Sequence, residues 1–305
     1  MCTCIFLKDE VSLFGRNMDI HYSFNEKVIY IKKGSKIELK TNNLLILKYN
    51  ILGIGTLIGD YPFYADAMNE KGLAIAGLNF TGNAYYFHLM DSKINITPYE
   101  LPLFLLGKCS TVLEVKKYLE EINLVKIPYS NDVPLAYLHF MISDKESSIV
   151  VEQTKDGLKV YDNELNVLTN NPSFSYHQNN ILNYLNLSIE DPINEKFQTI
   201  SFNQGLIGLP GDYSSMSRFV KAYFIKDNIL LNNENPVSQF FYCLDSVLMP
   251  KGIVKVKDEF EYTRYQSCYD LTNKILYYKT YDNREIKQVT MNVFSNETFK
   301  TINMF

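Results

Sequence analysis

The residues best suited to chemistry stand at the start of the chain, in MCTCIFLKDEVSLFGRNMD. Cys2 directly follows Met1, so removal of the methionine would leave a thiol and a free α-amine on one residue. An α-amine has an ordinary pKa of roughly 7.7–8.0 and exchanges protons near neutral pH. A nucleophile activated by such an amine can run acyl transfer, because one residue supplies both the attacking atom and the base. The small side chain at position 2 favours methionine removal without a further protease. Met-Cys alone is unspecific, since many chains begin this way by chance. A Gly15-Arg16-Asn17-Met18-Asp19 run follows about one hairpin later.

The elements that must carry these residues are strands. CTCIFLK and VSLFGRN flank Asp9-Glu10 and are expected to form a hairpin, which brings Cys2 and Arg16–Asp19 together at one end. EKVIYIKK, NLLILKYNILGIGT and GLAIAGLNF follow, several of them almost continuously apolar, which implies burial on both faces. Helices are expected in PYELPLFLLGKC and in STVLEVKKYLEEIN. The latter opens on the capping box Thr111-x-x-Glu114 and keeps Val112, Val115, Leu119 and Ile122 on one face. Short strands resume in AYLHFMISD, SSIVVEQT, GLKVYD and NVLTNN. A second helical group follows in HQNNILNYLNL, SSMSRFVKAYFIKDNI and NPVSQFFYCLDSVLM, with a long loop expected between Ser188 and Gly211. EYTRYQSCYD, KILYYKTYDN and IKQVTMNV return to strand. Strands, two groups of helices and strands again argue for one α+β domain over residues 1–305, its sheets packed together with helices outside.

Composition narrows the functional classes. In 305 residues, a hydrophobic share of 46% beside 21% charged residues is that of an ordinary globule with a substantial core. Acids and bases are mixed along the chain at a net charge of −4, with no basic block or stripe to suggest nucleic acid or a membrane surface. CIFL is too short for a secretory apolar segment, and a cytoplasmic protein is the expectation. Cys2, Cys4, Cys109, Cys243 and Cys268 are too few and too scattered for a disulfide framework. Cys2 and Cys4 point to one strand face without converging, and His21, His88, His139 and His177 are isolated, so a metal site is not expected.

Several blocks, in order, carry a more specific signal: MCT, FGRNMD, YADAMNEKGLAIAGLNF, VVEQT, VLTNNPSF and GLPGDYSSMSRFVKA. Together they resemble the choloylglycine hydrolase family, which contains conjugated bile salt hydrolases and penicillin V acylases. The resemblance runs from Met1 to the YYKTYDN strand. It implies the αββα sandwich of the N-terminal-nucleophile hydrolases, two stacked sheets covered by helices. It also implies amide hydrolysis through a thioester on the N-terminal cysteine, with no metal or organic cofactor.

Residue by residue, the resemblance makes Cys2 the nucleophile and Arg16 the arginine beside it, whose charge favours thiolate. It makes Asp19 the carboxylate that orients the amine; three residues from Arg16, Asp19 could also pair with that arginine. Asn170 matches the oxyanion-hole asparagine, with Asn171 as the competing register, and Asn79 supplies a second donor. Arg218 matches a second arginine near the site, although a helical arginine is by default a solvated charge. Asn79 also bears on substrate, because bile salt hydrolases tend to carry Asn at this point and penicillin V acylases Tyr. Met18, Ile58, Ala65, Tyr129 and Val133 match positions lining an apolar acyl pocket, where burial of a sterol face at ~25 cal/mol per Å2 would supply most of the affinity. The resemblance further implies a homotetramer acting on a small amphipathic amide, a conjugated bile salt first and penicillin V or another acyl amide as the alternative. A third reading is a silent binding protein that retains the fold. The chain departs from the pattern at Cys4, at Phe140 and in a shorter segment between Asn170 and Arg218.

Overall fold

The computed structural model describes residues 1–191, 205–231 and 235–305. The long loop expected between Ser188 and Gly211 falls mostly outside the described residues. The opening hairpin forms as expected: β1 (Cys2–Lys8) and β2 (Ser12–Ile20) turn at Asp9-Glu10 and pair antiparallel, with Cys2 opposite Met18 and Cys4 opposite Arg16. Strand β2 runs through Asp19 to Ile20, three residues beyond the stretch that reads as strand from its apolar residues alone.

This hairpin is the centre of the first sheet. Its order is Val167–Leu168, β1, β2, Glu259–Asp270, Ile275–Thr280, Lys287–Thr290, with Val254–Val256 also paired to Glu259–Asp270. The second sheet runs Gly157–Asp162, Ser148–Thr154, Leu138–Ser143, Ala74–Asn79, Tyr61–Asn69, Ile51–Ile58, Lys27–Ile31, Phe299–Asn303. Helices α1 (Leu101–Lys108) and α2 (Val112–Glu121) cover the second sheet. Helices α3 (Phe174–Asn180), α4 (Ser215–Asn228) and α5 (Pro236–Asp245) cover the first. The result is a four-layer αββα sandwich.

The apolar strands divide their side chains between two cores with period two. On Ser148–Thr154, Val150 faces the space between the sheets while Ile149 and Val151 face α1 and α2. The same alternation separates Leu52 and Ile54 from Ile51, and Ala74 and Ala76 from Ile75. Among the described residues no helix is long and apolar enough to cross a membrane.

Some elements differ from the expectation. NLLILKYNILGIGT is two strands, Leu44–Ile46 and Ile51–Ile58, because Lys48-Tyr49-Asn50 breaks the run. NVLTNN contributes only Val167–Leu168. Tyr61–Asn69, which carries Pro62 and a fully buried Asp66, is a strand that its pattern does not announce. The capping box forms in part: Thr111 Oγ1 accepts the Glu114 N–H at 3.2 Å, and the Glu114 carboxylate accepts from Ser110 N at 2.7 Å.

Two irregularities shape one end of the sandwich. Opposite β2, the Glu259–Asp270 strand bulges between Thr263 and Tyr265, which leaves Thr263 facing Asp19 and Tyr265 facing Met18. Between Ile51–Ile58 and Tyr61–Asn69 the register slips at Ala65. Beyond the Asp66–Ala76 pair, Tyr61–Asn69 and Ala74–Asn79 are no longer in register with one another. Carbonyls of both strands are thereby turned towards β2.

Candidate active site

Position along β1 and β2 decides which face each group occupies. Cys2, Cys4, Arg16 and Met18 share the face towards the second sheet, while Thr3, Asn17 and Asp19 face α4 and α5. Arg16 is fully buried in the split between the sheet strands. Its Nη1 donates to Gly77 O at 2.5 Å and Ala65 O at 3.3 Å, and its Nη2 donates to Cys2 Sγ. Met18 Sδ lies 3.6 Å from that Nη2 and 4.0 Å from Cys2 Sγ. Burial works against the Arg16 charge, but its electrostatic interactions with Cys2 first and then with Tyr265 and Asp66 hold its pKa above the usual arginine value.

Close approach of backbones makes this possible. A Cβ on Gly15 would stand 1.9 Å from Ser267 O, so only glycine lets β2 lie against its neighbour at the residue before Arg16. Behind the guanidinium lies Asp66, whose carboxylate accepts from Tyr265 Oη at 2.5 Å and Tyr269 Oη at 2.8 Å. Burial raises its pKa, and Arg16 and the two hydroxyls oppose that rise. Sequence reasoning missed Asp66; the signal was an aspartate inside the otherwise apolar YADAM run.

The backbone of Cys2 is held from the opposite side. Its N–H donates to Asn170 Oδ1 at 2.7 Å, and its carbonyl accepts from Arg218 Nη1 at 2.5 Å. The same Nη1 reaches Thr3 Oγ1 at 2.7 Å, Nη2 reaches Asn170 Oδ1 at 2.9 Å, and Nε holds Tyr213 O at 3.0 Å. Ser214 caps α4 by accepting the Ser217 N–H, which sets the turn from which Arg218 projects. Arg218 is buried rather than solvated, and burial lowers its pKa against the pull of Asp19.

Asp19 is buried beside this group. Oδ1 accepts from Thr263 Oγ1 at 2.6 Å, and Oδ2 has Arg218 Nη1 at 4.0 Å but no hydrogen-bond donor among the described residues. Burial raises its pKa, opposed by Arg218, by the terminal ammonium and by Thr263. The expected Asp19–Arg16 pairing is not formed: three residues apart on a strand, the two side chains leave opposite faces, and the guanidinium beside Asp19 is that of Arg218.

Met1 continues β1 next to Asp19. Asp19 N donates to Met1 O at 3.0 Å, Met1 N to Asp19 O at 2.5 Å, and the ammonium pairs with Glu261 at 2.9 Å. With Met1 in place the nitrogen of Cys2 is an amide and has no basicity.

Asn170 Nδ2 donates to Asn79 O at 2.9 Å, leaving its second hydrogen uncommitted by that contact. Phe80 N donates to Tyr137 O, so Asn79, one residue earlier, turns its backbone N–H and C=O to the opposite strand edge, the one facing Asn170. The Asn79 side chain is occupied with Thr81, accepting from its N–H at 2.9 Å and its hydroxyl at 2.6 Å. Asn171, the competing register, is exposed and donates to Thr81 O at 2.6 Å. The group at Cys2 is therefore Asn170.

Of the pocket residues, Met18 and Ala65 touch the Cys2–Arg16 pair. Ile58 and Tyr61 face each other at the tip of the hairpin that also carries Ala65. Tyr129 packs edge-on against Phe63 at 4.9 Å and tilted against Tyr61 at 5.6 Å, and Val133 lies four residues further on the same loop. A surface cavity lined by Phe87, Leu119, Ile122 and Val160 among others shares no residue with this set.

Taken together, a buried thiol on an arginine, an amide nitrogen and a carbonyl fixed by a second arginine, and an asparagine with a spare donor form a constellation suited to acyl transfer. The sequence pattern of the linear amide C–N hydrolases, choloylglycine hydrolase family, matches residues 2–299. The chain belongs to that family. Among relatives, the bile salt hydrolase/transferase of Lactiplantibacillus plantarum is 47% identical over 300 residues, 96% of this chain and 93% of the relative. The bile salt hydrolase/transferase of Clostridium perfringens is 42% identical over 305 residues, with the same coverage of 96% and 93%. A solved structure of a variant of the conjugated bile acid hydrolase from Clostridium perfringens superposes with a TM-score of 0.93 at 39% identity, covering 100% of this chain and 97% of that one. Penicillin V acylase from Agrobacterium tumefaciens shares the fold, with a TM-score of 0.80 at 20% identity over 100% of this chain and 92% of that one. The αββα sandwich of this choloylglycine hydrolase family member is thus the N-terminal-nucleophile hydrolase fold.

Proposed function

We propose that this chain hydrolyses the amide bond of bile acids conjugated to glycine or taurine, through a thioester on Cys2. The observation that carries the reading is the convergence on Cys2 alone: Arg16 on its sulfur, Asn170 on its nitrogen, Arg218 on its carbonyl. The names of the relatives at 47% and 42% identity support the substrate class.

The chemistry starts with loss of Met1, which turns the Cys2 nitrogen into an amine. Asp19 Oδ2, buried and without a donor among the described residues, is the acceptor that the new ammonium hydrogens would satisfy. The Cys2 sulfur attacks the amide carbon and the α-amine takes its proton. Negative charge gathers on the former carbonyl oxygen, between the Asn79 backbone N–H and Asn170 Nδ2. The amine then returns the proton to the departing glycine or taurine nitrogen, the C–N bond breaks, and Cys2 holds the acyl group. Water, deprotonated by the same amine, attacks the thioester and releases the bile acid. An acceptor other than water at this last step would account for the transferase half of the relatives' names. The apolar side chains of Met18, Ala65, Ile58, Tyr129 and Val133 receive the sterol, the conjugated anion stays near solvent, and the working form is a cytoplasmic homotetramer.

The purified enzyme is assayed side by side on glycocholate, taurocholate and penicillin V, with Cys2→Ser as control. Faster turnover of the bile salts, lost in the variant, is expected. Dominant turnover of penicillin V refutes the substrate, full activity of Cys2→Ser refutes the mechanism, and a Met1-processed wild type that turns over none of the three favours a silent binding protein.

A further inference from the structure

Three buried side chains near Asn170 have no part in the chemistry just described. His139 and His177 are both fully buried, and Glu152 is nearly so. His139 and Glu152 project from the second sheet into the space between the sheets. His139 Nε2 lies 2.9 Å from Thr169 O, on the far side of that space, and Nδ1 lies 3.0 Å from Glu152 Oε1. His177, on α3, places Nε2 3.0 Å from Asn170 O. A carbonyl oxygen has no hydrogen to give, so both Nε2 atoms carry one. The imidazoles are held flat by stacking, His139 on Phe80 at 4.2 Å and His177 on Phe219 at 4.6 Å.

Asn170 needs such support because the sheet no longer provides it. The ladder beside β1 ends at the Cys4–Leu168 pair, and Thr169 and Asn170 continue past it without a strand partner. Their backbone groups are taken up by side chains instead. Thr169 O goes to His139, Asn170 O to His177, and Asn170 N donates to Ser215 Oγ at 2.8 Å. Thr169 Oγ1 closes the group by donating to Ser215 O at 3.0 Å and accepting from Ser215 Oγ at 2.9 Å. Glu152 Oε1 also accepts the Phe174 N–H at 2.9 Å, which ties the start of α3 to the same cluster.

We infer that His139, Glu152 and His177 are positioning residues that lock the Thr169–Asn170 backbone, so that the spare hydrogen of Asn170 Nδ2 points at the reacting oxygen. The inference rests on the amide-hydrolase reading for the identity of that oxygen. An oxyanion donor works only when aimed before the reaction, and a displacement near 1 Å forfeits on the order of 100-fold in rate. A merely structural role for the cluster would change stability and leave the chemical step alone.

His177→Phe keeps the stack on Phe219 and removes the donor; His177→Gln restores an N–H. Each is compared with the wild-type chain on whichever amide the wild type turns over fastest, so a wrong substrate assignment shows in the wild type and not in the ratio. The phenylalanine variant is expected to lose about 10- to 100-fold in kcat, with KM within about twofold, and the glutamine variant to recover most of the loss. Alkylation of Cys2 by iodoacetamide is expected to stay within about threefold of wild type in both, because Arg16 still holds the sulfur. Where the histidine variants fail to fold, Ser215→Ala, which removes the partner of Asn170 N, reports the same signature. A crystal structure of the folded variant gives a readout independent of turnover: Asn170 Nδ2 is expected to shift by about 0.5 Å or more. A folded variant with wild-type kcat, an unmoved Asn170, or a parallel loss of alkylation overturns the inference.

Discussion

Replacing Asn170 with aspartate separates its two jobs. Oδ1 receives the Cys2 nitrogen at 2.7 Å and Arg218 Nη2 at 2.9 Å, while Nδ2 donates to Asn79 O at 2.9 Å and carries the hydrogen assigned to the oxyanion. Aspartate keeps both acceptor contacts and turns the one with Arg218, already charge-assisted by the guanidinium, into a buried ion pair whose attraction is largely offset by the cost of burying the new charge. It loses the bond to Asn79 O and sets two oxygens against each other, a cost of about 1–3 kcal/mol. The net loss is therefore about 1–3 kcal/mol and the melting temperature is expected to fall by only several degrees, at about 2 °C per kcal/mol for a chain of this length. Catalysis suffers more. Loss of one oxyanion donor costs about 2.7–4 kcal/mol, or roughly 100- to 1,000-fold in kcat. The measurements are differential scanning calorimetry and steady-state release of glycine from glycocholate. A folded Asn170→Asp enzyme within about tenfold of wild-type kcat would falsify the oxyanion assignment, because the discarded donor would then carry less than about 1.4 kcal/mol. Asn170→Ala is the contrast: it leaves Arg218 and the Cys2 nitrogen short of an acceptor, so stability falls as well as rate.

Three further outcomes follow from the geometry. Enzyme that keeps Met1, through an uncleaved N-terminal tag, is expected to be inactive, because the Cys2 nitrogen is then an amide that only donates to Asn170 Oδ1 and takes no proton; measurable turnover by protein of unprocessed intact mass would contradict the amine's role. Gly15→Ala puts a methyl group 1.9 Å from Ser267 O and is expected to destabilise by about 3 kcal/mol, at the upper end for overpacking, with lower activity through Arg16; an unchanged melting temperature would contradict it. Burial lowers the His177 pKa to about 4, against the support of the Asn170 carbonyl and with His139 and Arg218 adding to the fall. The unfolded chain therefore binds more protons than the folded one between about pH 6.5 and pH 4, so stability is present above that window and falls on acidification by up to about 3 kcal/mol. His177→Asn is expected to flatten this part of the stability profile in urea titrations, and an unchanged slope would show that other groups set it.

The opening hairpin, the strand and helix segments and the blocks of family resemblance were readable from sequence, because each depends on near neighbours: alternation, turn residues, caps. Even there parity was decisive. A strand that stops at Asn17 leaves Arg16 and Asp19 free to pair; because β2 runs to Ile20, their odd separation places them on opposite faces. The Tyr61–Asn69 strand was not readable, because Asp66 argues against a buried strand until Tyr265 and Tyr269 are brought to it from two hundred residues away. Arg218 looked like a solvated helical charge, and its partners, Cys2 and Asn170, become neighbours only when α4 lies on the first sheet.

What the sequence by itself determined is the family and the covalent make-up of the proposed nucleophile, since a thiol and a potential amine on one residue is a covalent fact. What only the tertiary structure decided is the surroundings of that residue: which arginine meets sulfur, which meets backbone, and which carboxylate oxygen is left waiting. Those depend on how two sheets, each buried on both faces, slide and bulge against one another, and no local pattern of residues encodes that register.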